Sequence, residues 1–418
     1  MLLKLARQSL WNRRSTALLT VISLTISIAL LLGIDHLRRE AKQSFTSTLS
    51  GTDLIIGARS GSTNLLLYSV FRIGNATNNI SWDSYQAIDT HSLVEWTIPL
   101  SLGDSHRGFR VLGTNDSYFE HYRYGKKQTL EFLQGKPFNG VYEAVIGSQV
   151  ARKLGYQVGE EIIVSHGIGE TDFAKHDDKP FTIVGILRPT GTPVDQTVHV
   201  SLAGIEAIHV DWQTGTRIPG QEISAEEALE HDLQPKNITA CLVGLNSKMA
   251  TFNMQRKINT YGGEALMAIL PGVALSELWQ MLGMVENTLL VISFLVLLAT
   301  LVGMMTTLLA SMKERQREMA ILRAMGAHAS YLFILVEMEI ILLAALGVAG
   351  GFGLLSSALA ISQPWLASEF GLFLSINPIG KDTLSIAGGI IGLAAVLGVI
   401  PALAAYRKAL SEGLVAKT

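Results

Sequence analysis

The sequence of 418 residues is 48% apolar and only 16% charged, which is little charge for a soluble protein of this length. Its single cysteine, Cys241, excludes an intramolecular disulfide framework and argues against redox chemistry. The net charge of −2 is unevenly spread, because residues 1–34 carry +4, residues 287–418 carry about +1, and residues 35–286 carry −7.

Residues 1–14 form the first predicted element. Apolar side chains, among them Leu2, Leu5 and Leu10, recur on one face of a helix, while the basic side chains lie largely on other faces. This pattern is typical of a helix that lies at a membrane surface. We therefore predict an amphipathic interfacial helix over residues 1–14.

Four apolar stretches are each long enough to cross, as a helix, the hydrocarbon layer of a bilayer, which is about 30 Å thick. The predicted transmembrane helices are residues 15–34, 287–312, 329–356 and 383–406. Charged sequence continues directly after residue 34, and no clear cleavage site follows Gly33. The first span is therefore expected to be retained and not removed as a signal peptide.

The basic residues between the spans predict the orientation of the chain. Lysine and arginine close to short loops stay in the cytoplasm. Residues 1–14, the loop 313–328 and the tail 407–418 are rich in basic side chains, so both termini and this loop are predicted to be cytoplasmic. The segment 35–286 and the external loop 357–382 then lie outside.

Residues 35–286 are predicted to form a large extracytoplasmic domain on a helical stalk. Helical sequence runs from residue 35 to Gly51 and again over 274–287, which predicts two stalk helices. Short alternating runs predict strands at 53–56, 109–112, 161–164, 181–187 and 197–200. Helices are predicted at 82–88, 148–154, 202–209, 225–230 and 248–258. The fold class is therefore an α+β membrane protein, with an outer β-rich lobe, residues 100–200, inserted into a smaller α/β lobe.

The segment 57–82 places a compact apolar run between flexible Gly, Ser and Asn residues. The run contains Leu65, Leu66, Leu67, Tyr68 and Phe71. One interpretation is a buried strand or helix edge. The functional interpretation is a mobile loop near the membrane that contacts an apolar substrate or a partner protein.

The sequence contains no recognisable catalytic constellation. The motifs HExxH, GxSxG and Ser-x-x-Lys are absent, and so is the phosphate-binding motif GxxxxGK[ST]. Histidines and acidic residues cluster between His166 and Asp178, but their spacing matches no recognised ligand pattern. We interpret that stretch as a solvated hairpin loop, and we predict no metal site and no catalytic residue in this chain.

The loop KERQREMAILRAMGA, residues 313–327, predicts a short amphipathic helix between two spans. Met319, Leu322 and Met325 fall on one face, and Gly326 provides a C-terminal stop. The apolar face of such a helix requires either lipid headgroups or a groove in another protein. From the residues alone, both interpretations have similar weight.

The third span has two features that a purely apolar helix would lack. Glu337 and Glu339 lie near its inner end, where they either extend to the membrane surface or make a helix-packing or coupling contact. Small residues allow close contact between helices, which favours a packed bundle or a dimer interface. The second feature is a run of such residues with the pattern GxxGGxG, formed by Gly347, Gly350, Gly351 and Gly353.

Several segments resemble the FtsX-like permeases of the MacB type, which belong to ABC transporters. The pattern ExxxLRAMGA, residues 318–327, lies just after a membrane span and is similar to the coupling region of that family. The segments EAVIGSQVARKLGYQVGEEIIV (143–164) and VGILRPTGTPVDQTVHVSLAGIEAIH (184–209) resemble its periplasmic core. The ending PALAAYR (401–407) also resembles that of the family, so the resemblance covers nearly the whole chain.

The resemblance implies a cytoplasmic ABC ATPase as a partner, with a groove that receives the loop helix. The implied ATPase-coupling residues are Glu314, Arg315, Arg317, Glu318, Leu322, Arg323, Met325 and Gly326. Because this sequence has no phosphate-binding motif, ATP and Mg²⁺ are expected to bind to a separate ATPase polypeptide. The chain itself is expected to use no cofactor and to pair with a second permease chain, identical or different.

The function implied by the resemblance is mechanotransmission, in which ATP hydrolysis drives a conformational change outside the membrane. The expected cargo is hydrophobic, peptide or lipoprotein-like, and the expected location is the bacterial inner membrane. A periplasmic or lipoprotein partner fits this function, whereas nucleic acid does not. The alternative from another class is a membrane-anchored extracytoplasmic scaffold that binds a ligand or regulates a partner without transport. An envelope enzyme is disfavoured, because no catalytic set is present.

Overall fold

The computed structural model describes residues 2–166, 176–211, 223–314, 321, 323–370, 375 and 377–412. The chain separates into two compact units. The first, called here the helical unit, contains Met1–Glu40, Leu282–Pro364 and Leu374–Thr418. The second, called the core domain, contains Ala41–Met281 and Trp365–Phe373.

The helices of the described residues are either very long or short. In chain order they are α1 (Leu2–Asn12), α2 (Arg14–Ser47), α3 (Ser62–Val70), α4 (Trp82–Asp89), α5 (Ser117–His121), α6 (Ser148–Leu154), α7 (Leu202–His209), α8 (Ala225–Ala228), α9 (Thr251–Asn259), α10 (Pro271–Glu314), α11 (Ala329–Phe370) and α12 (Lys381–Glu412). Two short 3₁₀ helices are Pro193–Gln196 and Lys248–Ala250.

The strands all lie in the core domain. In chain order they are β1 (Leu54–Ala58), β2 (Ile80–Ser81), β3 (Val94–His106), β4 (Phe109–Thr114), β5 (Arg123–Tyr124), β6 (Gln128–Thr129), β7 (Phe132–Gly135), β8 (Glu143–Ile146), β9 (Glu161–Ile162), β10 (Ser165–His166), β11 (Phe181–Leu187), β12 (Thr197–Ser201), β13 (Asn237–Ile238), β14 (Ala240–Leu245) and β15 (Leu266–Ile269).

Helices α2, α10, α11 and α12 each contain a window of 18 residues with a mean hydropathy between 2.3 and 2.5, enough to cross a bilayer. One apolar helix precedes the α+β domain in the sequence and three follow it, which confirms the predicted fold class. All four helices extend beyond the predicted spans. The extensions of α2 and α10 fall on the segments predicted as stalk helices, because helical hydrogen bonding continues into charged turns beyond the apolar pattern.

The long helices bury one side of their apolar surface and expose another. Leu24 and Ile28 of α2 are fully buried, whereas Leu19 on the same helix is 66% exposed. Ser27 and Thr300 join α2 to α10 through a hydrogen bond of 2.8 Å between their hydroxyl oxygens. Outward-facing leucine suits contact with lipid, and a hydroxyl pair is a common polar link between membrane helices.

In the described part of the chain, eleven strands form the main sheet of the core domain. The order is β15-β1-β14-β3-β4-β12-β8-β11-β7, with β10 paired to β3 and β9 paired to β11. Most neighbours are antiparallel, but β12 with β4 and β11 with β8 are parallel. The strands β2 with β13 and β5 with β6 form two small separate pairs.

Strand β3 joins the two lobes that the sequence predicted as separate. Its first half pairs with β14, with Leu100 opposite Ala240, and its second half pairs with β4, with Ser105 opposite Arg110. The register shifts between Leu102 and Ser105, where the two halves meet. Strand β3 therefore runs from one predicted lobe into the other and pairs with strands of both.

Several short elements follow directly from local sequence signals. The predictions for 148–154, 181–187 and 202–209 agree with α6, β11 and α7. Gly155 ends α6 in the left-handed conformation, and the Ser201 hydroxyl accepts a hydrogen bond from Gly204 N to begin α7. The strand predicted over 161–164 is shorter in the structure, and the helix predicted over 248–258 begins as a 3₁₀ turn.

Candidate functional site

The loop between α10 and α11 carries the residues that the family resemblance assigns to ATPase coupling. Among the described residues, its last helical turn ends at Gly326, whose φ of +93° is a left-handed conformation that favours glycine. The C-terminal stop predicted at Gly326 is therefore confirmed. For Glu314 the structure describes the helical backbone alone. The candidates that lie outside the described residues are Arg315, Arg317, Glu318 and Leu322.

The described end of this loop exposes apolar side chains. Ile321 is 59% exposed and Met325 is 72% exposed, whereas Arg323 is half-buried. The turn is helical, because Met325 N donates to the carbonyl of Ile321 at 3.0 Å and Gly326 N donates to that of Arg323 at 2.9 Å. An exposed apolar turn of this kind can pack in a protein groove or in a lipid headgroup layer.

Helix α1 borders a groove of about 1210 Å³ within the helical unit. Arg7 and Trp11 line the groove from α1, and Leu342 and Leu343 line it from α11. Trp11 is 73% exposed. Tryptophan and arginine beside an apolar wall are typical of the boundary between membrane and water. The groove supports the prediction that α1 lies at the membrane surface.

The two glutamates of the third span make contacts between helices. Glu339 is fully buried, and its Oε2 lies 3.6 Å from Nη2 of Arg13, which sits in the turn between α1 and α2. Glu337 is half-buried and faces α12, since a Cβ added at Gly398 would lie 3.1 Å from its Oε2. The structure therefore favours the packing interpretation over extension of these side chains to the surface.

The glycine run of α11 packs against α2. A Cβ added at Gly347 would lie 2.7 Å from Cβ of Leu24, and one added at Gly351 would lie 2.8 Å from Cγ2 of Ile28. Both distances are shorter than real Cβ contacts. At Gly353, two residues further along, nothing lies within 4 Å. The close helix contact that the sequence predicts is therefore one between two helices of the same chain.

The substitution Gly351→Leu is expected to lower the free energy of unfolding of the helical unit by about 1–3 kcal/mol, the usual cost of overpacking. The added side chain must displace Ile28 or separate α11 from α2. Thermal unfolding of the purified chain in detergent measures the effect. Gly353→Leu is the matched control, because it adds the same side chain to the same helix in open space. Equal stability of the two variants would contradict the proposed contact.

The apolar run 65–71 belongs to the core and not to a mobile loop. Leu65, Leu66 and Tyr68 lie on α3 and are at most 2% exposed, Phe71 is 8% exposed, and Leu67 is half-buried. All five pack in one buried cluster of the core domain. The structure corrects the contact-loop interpretation, because these side chains are covered by the core and only Tyr68 borders a cavity.

Residues that follow the apolar run 65–71 in the chain line a cavity of about 350 Å³ in the core domain. Arg72 and Arg110 reach the cavity, and Nη2 of Arg110 donates to the Gly74 carbonyl at 2.7 Å and to Oδ1 of Asn75 at 3.0 Å. Burial and the positive charge of Arg72 lower the pKa of Arg110. Burial also raises the pKa of Tyr68, a further lining residue, to about 12. Two arginines at one cavity suit an anionic or carbonyl-bearing group.

Three histidines meet in the core domain, which the sequence did not predict. One ring nitrogen each of His166, His176 and His209 lies within 4.8 Å of the others. His166 Nδ1 lies 2.8 Å from Oδ1 of Asp104. Burial lowers the pKa of His176 to about 4 and also lowers the pKa of His209, so both rings are neutral near pH 7.

The earlier interpretation of the stretch from His166 to Asp178 as a solvated hairpin is wrong at His176, which is 1% exposed. Two of the three clustered histidines come from this stretch, for which the sequence predicted no metal site. The sequence contained only a weak indication of this histidine cluster. His166 and His176 lie close in the chain, whereas His209 follows from a separate helix, and no motif joins the three.

One N-terminal and three C-terminal membrane-type helices, together with an α+β core domain, define a multi-pass membrane protein of the permease class. Residues 17–240 match the MacB-like periplasmic core domain, and residues 290–410 match the FtsX-like permease C-terminal domain. The chain belongs to the MacB/FtsX-type permeases of ABC transporters.

Two solved structures are similar to the core region. The periplasmic region of MacB from Actinobacillus actinomycetemcomitans is 10% identical, with a TM-score of 0.34, and the match covers 55% of this chain and 94% of that one. The extracellular domain of the noncanonic ABC-type transporter YknZ from Gram-positive bacteria is 14% identical, with a TM-score of 0.31, and the match covers 52% and 99%. A comparison with curated proteins finds no match.

Proposed function

We propose that this chain is the permease subunit of an ABC transporter that works by mechanotransmission. A separate cytoplasmic ATPase binds ATP and Mg²⁺, and its movement displaces the loop between α10 and α11. Two long helices carry the displacement to the core domain on the other side of the membrane. The cargo is a hydrophobic molecule, a peptide or a lipoprotein-like molecule, which is exported or extracted outside the bilayer.

The connection of the two long helices to the sheet carries this proposal. Helix α2 leads into β1 and strand β15 leads directly into α10. Strands β1 and β15 are neighbours, with Ile55 opposite Ile269. Helix α10 has 44 residues, which corresponds to about 66 Å. A displacement of its C-terminal end is therefore delivered, through one continuous helix, to the outermost pair of strands in the sheet.

The charge distribution supports the orientation that the mechanism needs. The loop 313–328 and residues 1–14 are rich in lysine and arginine, which favours the cytoplasm, while residues 35–286 carry −7. The proposed location is the bacterial inner membrane, with both termini inside and the core domain in the periplasm. The assembly contains two ATPase subunits and two permease chains, identical or different, and a periplasmic or lipoprotein partner can join it.

Met325→Asp tests the docking role of the loop. Met325 is 72% exposed next to the helix stop at Gly326, so a carboxylate there leaves the fold intact but introduces a charge into an apolar interface. We expect the affinity for the ATPase subunit to fall about 30-fold, the effect of a 2 kcal/mol interface residue. The sequence predicts the same direction for Glu318→Lys and Leu322→Asp. The measurement is the amount of ATPase that co-purifies with the full chain, quantified by mass spectrometry.

Met249→Asp is the matched control for this experiment. Met249 is 91% exposed in the core domain and has no role in the proposed docking. Its variant should retain the ATPase in full. Retention of the ATPase by the loop variants at the level of the control would contradict the docking role.

The cavity beside Arg72 and Arg110 favours a second candidate, a membrane-anchored scaffold that binds a ligand outside the bilayer without transport. The same purification separates the two candidates. If the unaltered chain retains no ATPase after gentle extraction from its own membranes, the scaffold is favoured and the permease role fails.

A further inference from the structure

Two of the clustered histidines have tautomers that are set by their Nδ1 contacts. The Nδ1–H of His166 donates to the Asp104 carboxylate at 2.8 Å, and these two residues are opposite each other in the pairing of β10 with β3. The Nδ1–H of His209 donates to the carbonyl of Ile205 at 2.6 Å. These contacts occupy both Nδ1 atoms and leave the Nε2 atoms as the nitrogens that can bind a metal ion. The two Nε2 atoms face each other at 3.2 Å.

Nε2 atoms that converge in this way can bind one ion between them. The third histidine contributes a nitrogen to the same group, because Nε2 of His176 lies 3.3 Å from Nε2 of His166. In a tetrahedral site with Zn–N bonds of about 2.0–2.1 Å, neighbouring ligand nitrogens are about 3.3 Å apart. The two separations of 3.2 and 3.3 Å therefore equal the edges of such a tetrahedron.

We propose that His166, His176 and His209 bind a divalent transition-metal ion of the zinc class through their Nε2 atoms. Three imidazole ligands suit Zn²⁺, Co²⁺, Ni²⁺ or Cu²⁺, whereas Ca²⁺ and Mg²⁺ require oxygen ligands. Asp104 orients His166 as a carboxylate outside the ligand set, the usual arrangement for a metal-bound histidine. Three protein ligands leave one position of a tetrahedral ion to a further ligand or to water.

The segments that carry the ligands are held in place by protein contacts. The Lys179 ammonium donates to Asp211 at 2.9 Å and to Asp178 at 3.0 Å, which ties the chain just after His176 to the end of α7. Lys179 is 0% exposed at its side chain and Asp211 is 1% exposed. The ligands are thus preorganised, which lowers the cost of binding.

Two of the three proposed ligands are partly exposed. The side chains of His166 and His209 are 33% and 26% exposed, whereas His176 forms the buried wall. A bound ion cross-links β10 and the chain at His176 to α7, which is more distant in the sequence. The inference does not depend on ATPase coupling, so its outcome is independent of the proposed transport function.

The test uses the full chain without a polyhistidine tag, stripped of metal with a chelator and reconstituted in nanodiscs. Titration with Co²⁺ is expected to give one equivalent with the visible spectrum of a tetrahedral site, displaced by Zn²⁺ but not by Mg²⁺. His209→Ala should weaken Zn²⁺ binding by more than the roughly 100-fold upper limit for residues outside the ligand set. Asp104→Asn should preserve the stoichiometry and weaken affinity about 10- to 100-fold.

His231→Ala is the control, since His231 is an exposed histidine of the same domain and its loss should leave the spectrum unchanged. A second readout needs no variant. Zn²⁺ should protect His166 and His209 of the unaltered chain from diethyl pyrocarbonate, and His231 should stay reactive. Absence of stoichiometric Co²⁺ binding, an unchanged spectrum in His209→Ala, or equal labelling with and without Zn²⁺ would each overturn the assignment.

Discussion

Replacing Lys179 by methionine is expected to lower the free energy of unfolding of the core domain by about 3–5 kcal/mol, the cost of breaking a buried ion pair from one side. The Lys179 and Asp211 side chains are 0% and 1% exposed, and methionine fills the space without supplying a charge. The variant therefore leaves the carboxylate of Asp211 buried without its cation. Thermal unfolding of the full chain, followed by hydrogen exchange of the amides in β11 and α7, measures the loss.

Arg188→Met provides the control for this prediction. Its ion pair with Glu131 spans 3.6 Å at the surface, with the two side chains 59% and 64% exposed, so solvent screens the interaction. The loss there should be less than about 1 kcal/mol. The double variant Lys179→Met/Asp211→Leu should recover much of the stability, because the fully buried carboxylate is gone and Asp178, the other partner of Lys179, is 25% exposed. A single variant as stable as Arg188→Met would refute the structural role of the pair.

Glu339→Met is expected to destabilise the helical unit by about 3 kcal/mol. Glu339 is fully buried on α11, and its carboxylate lies 3.6 Å from the guanidinium of Arg13. Its removal leaves the positive charge of Arg13, which is 18% exposed, facing an apolar helix. Because Arg13 forms the turn between α1 and α2, the variant should also loosen α1. Protease accessibility of the N-terminus and thermal unfolding in detergent measure these two effects.

Asp382→Asn is the matched control within the helical unit. Asp382 is 79% exposed and pairs with Arg39 at 3.2 Å, so loss of its charge should change little. The double variant Arg13→Met/Glu339→Met should be more stable than Glu339→Met alone. If the double variant is no better than the single one, the two side chains do not act as a pair, and the prediction fails.

The membrane spans and the family could be predicted from the sequence because their signals are local. A run of about 20 apolar residues can be recognised as a membrane span without knowledge of its tertiary contacts. The segment ExxxLRAMGA is a continuous motif. Helix and strand positions with strong caps or clean alternation, such as α6, α7 and β11, agreed with the prediction for the same reason. The extensions of α2 and α10 beyond the spans agree with the predicted stalk helices, whereas the extensions of α11 and α12 were not predicted.

Burial of the run from Leu65 to Phe71 was one of two alternatives that the residues allowed. An apolar run between flexible flanks has the same composition whether it packs in a core or contacts a partner. The contacts of α3 with β1 and β14 decided the question, and those strands are separated by almost two hundred residues. Strand β3 was missed in a similar way, because Pro99 and Gly103 interrupt its alternation while distant strands pair with both halves.

The sequence by itself determined the class of protein, the membrane spans and the charge asymmetry, all of which depend on residues close together in the chain. Only the tertiary structure decided that Gly351 packs on Ile28, that Glu339 pairs with Arg13, and that His209 joins His166 and His176. These are contacts between residues far apart in the sequence. Their partners depend on which helices and strands pack together, and a local sequence pattern does not identify those partners.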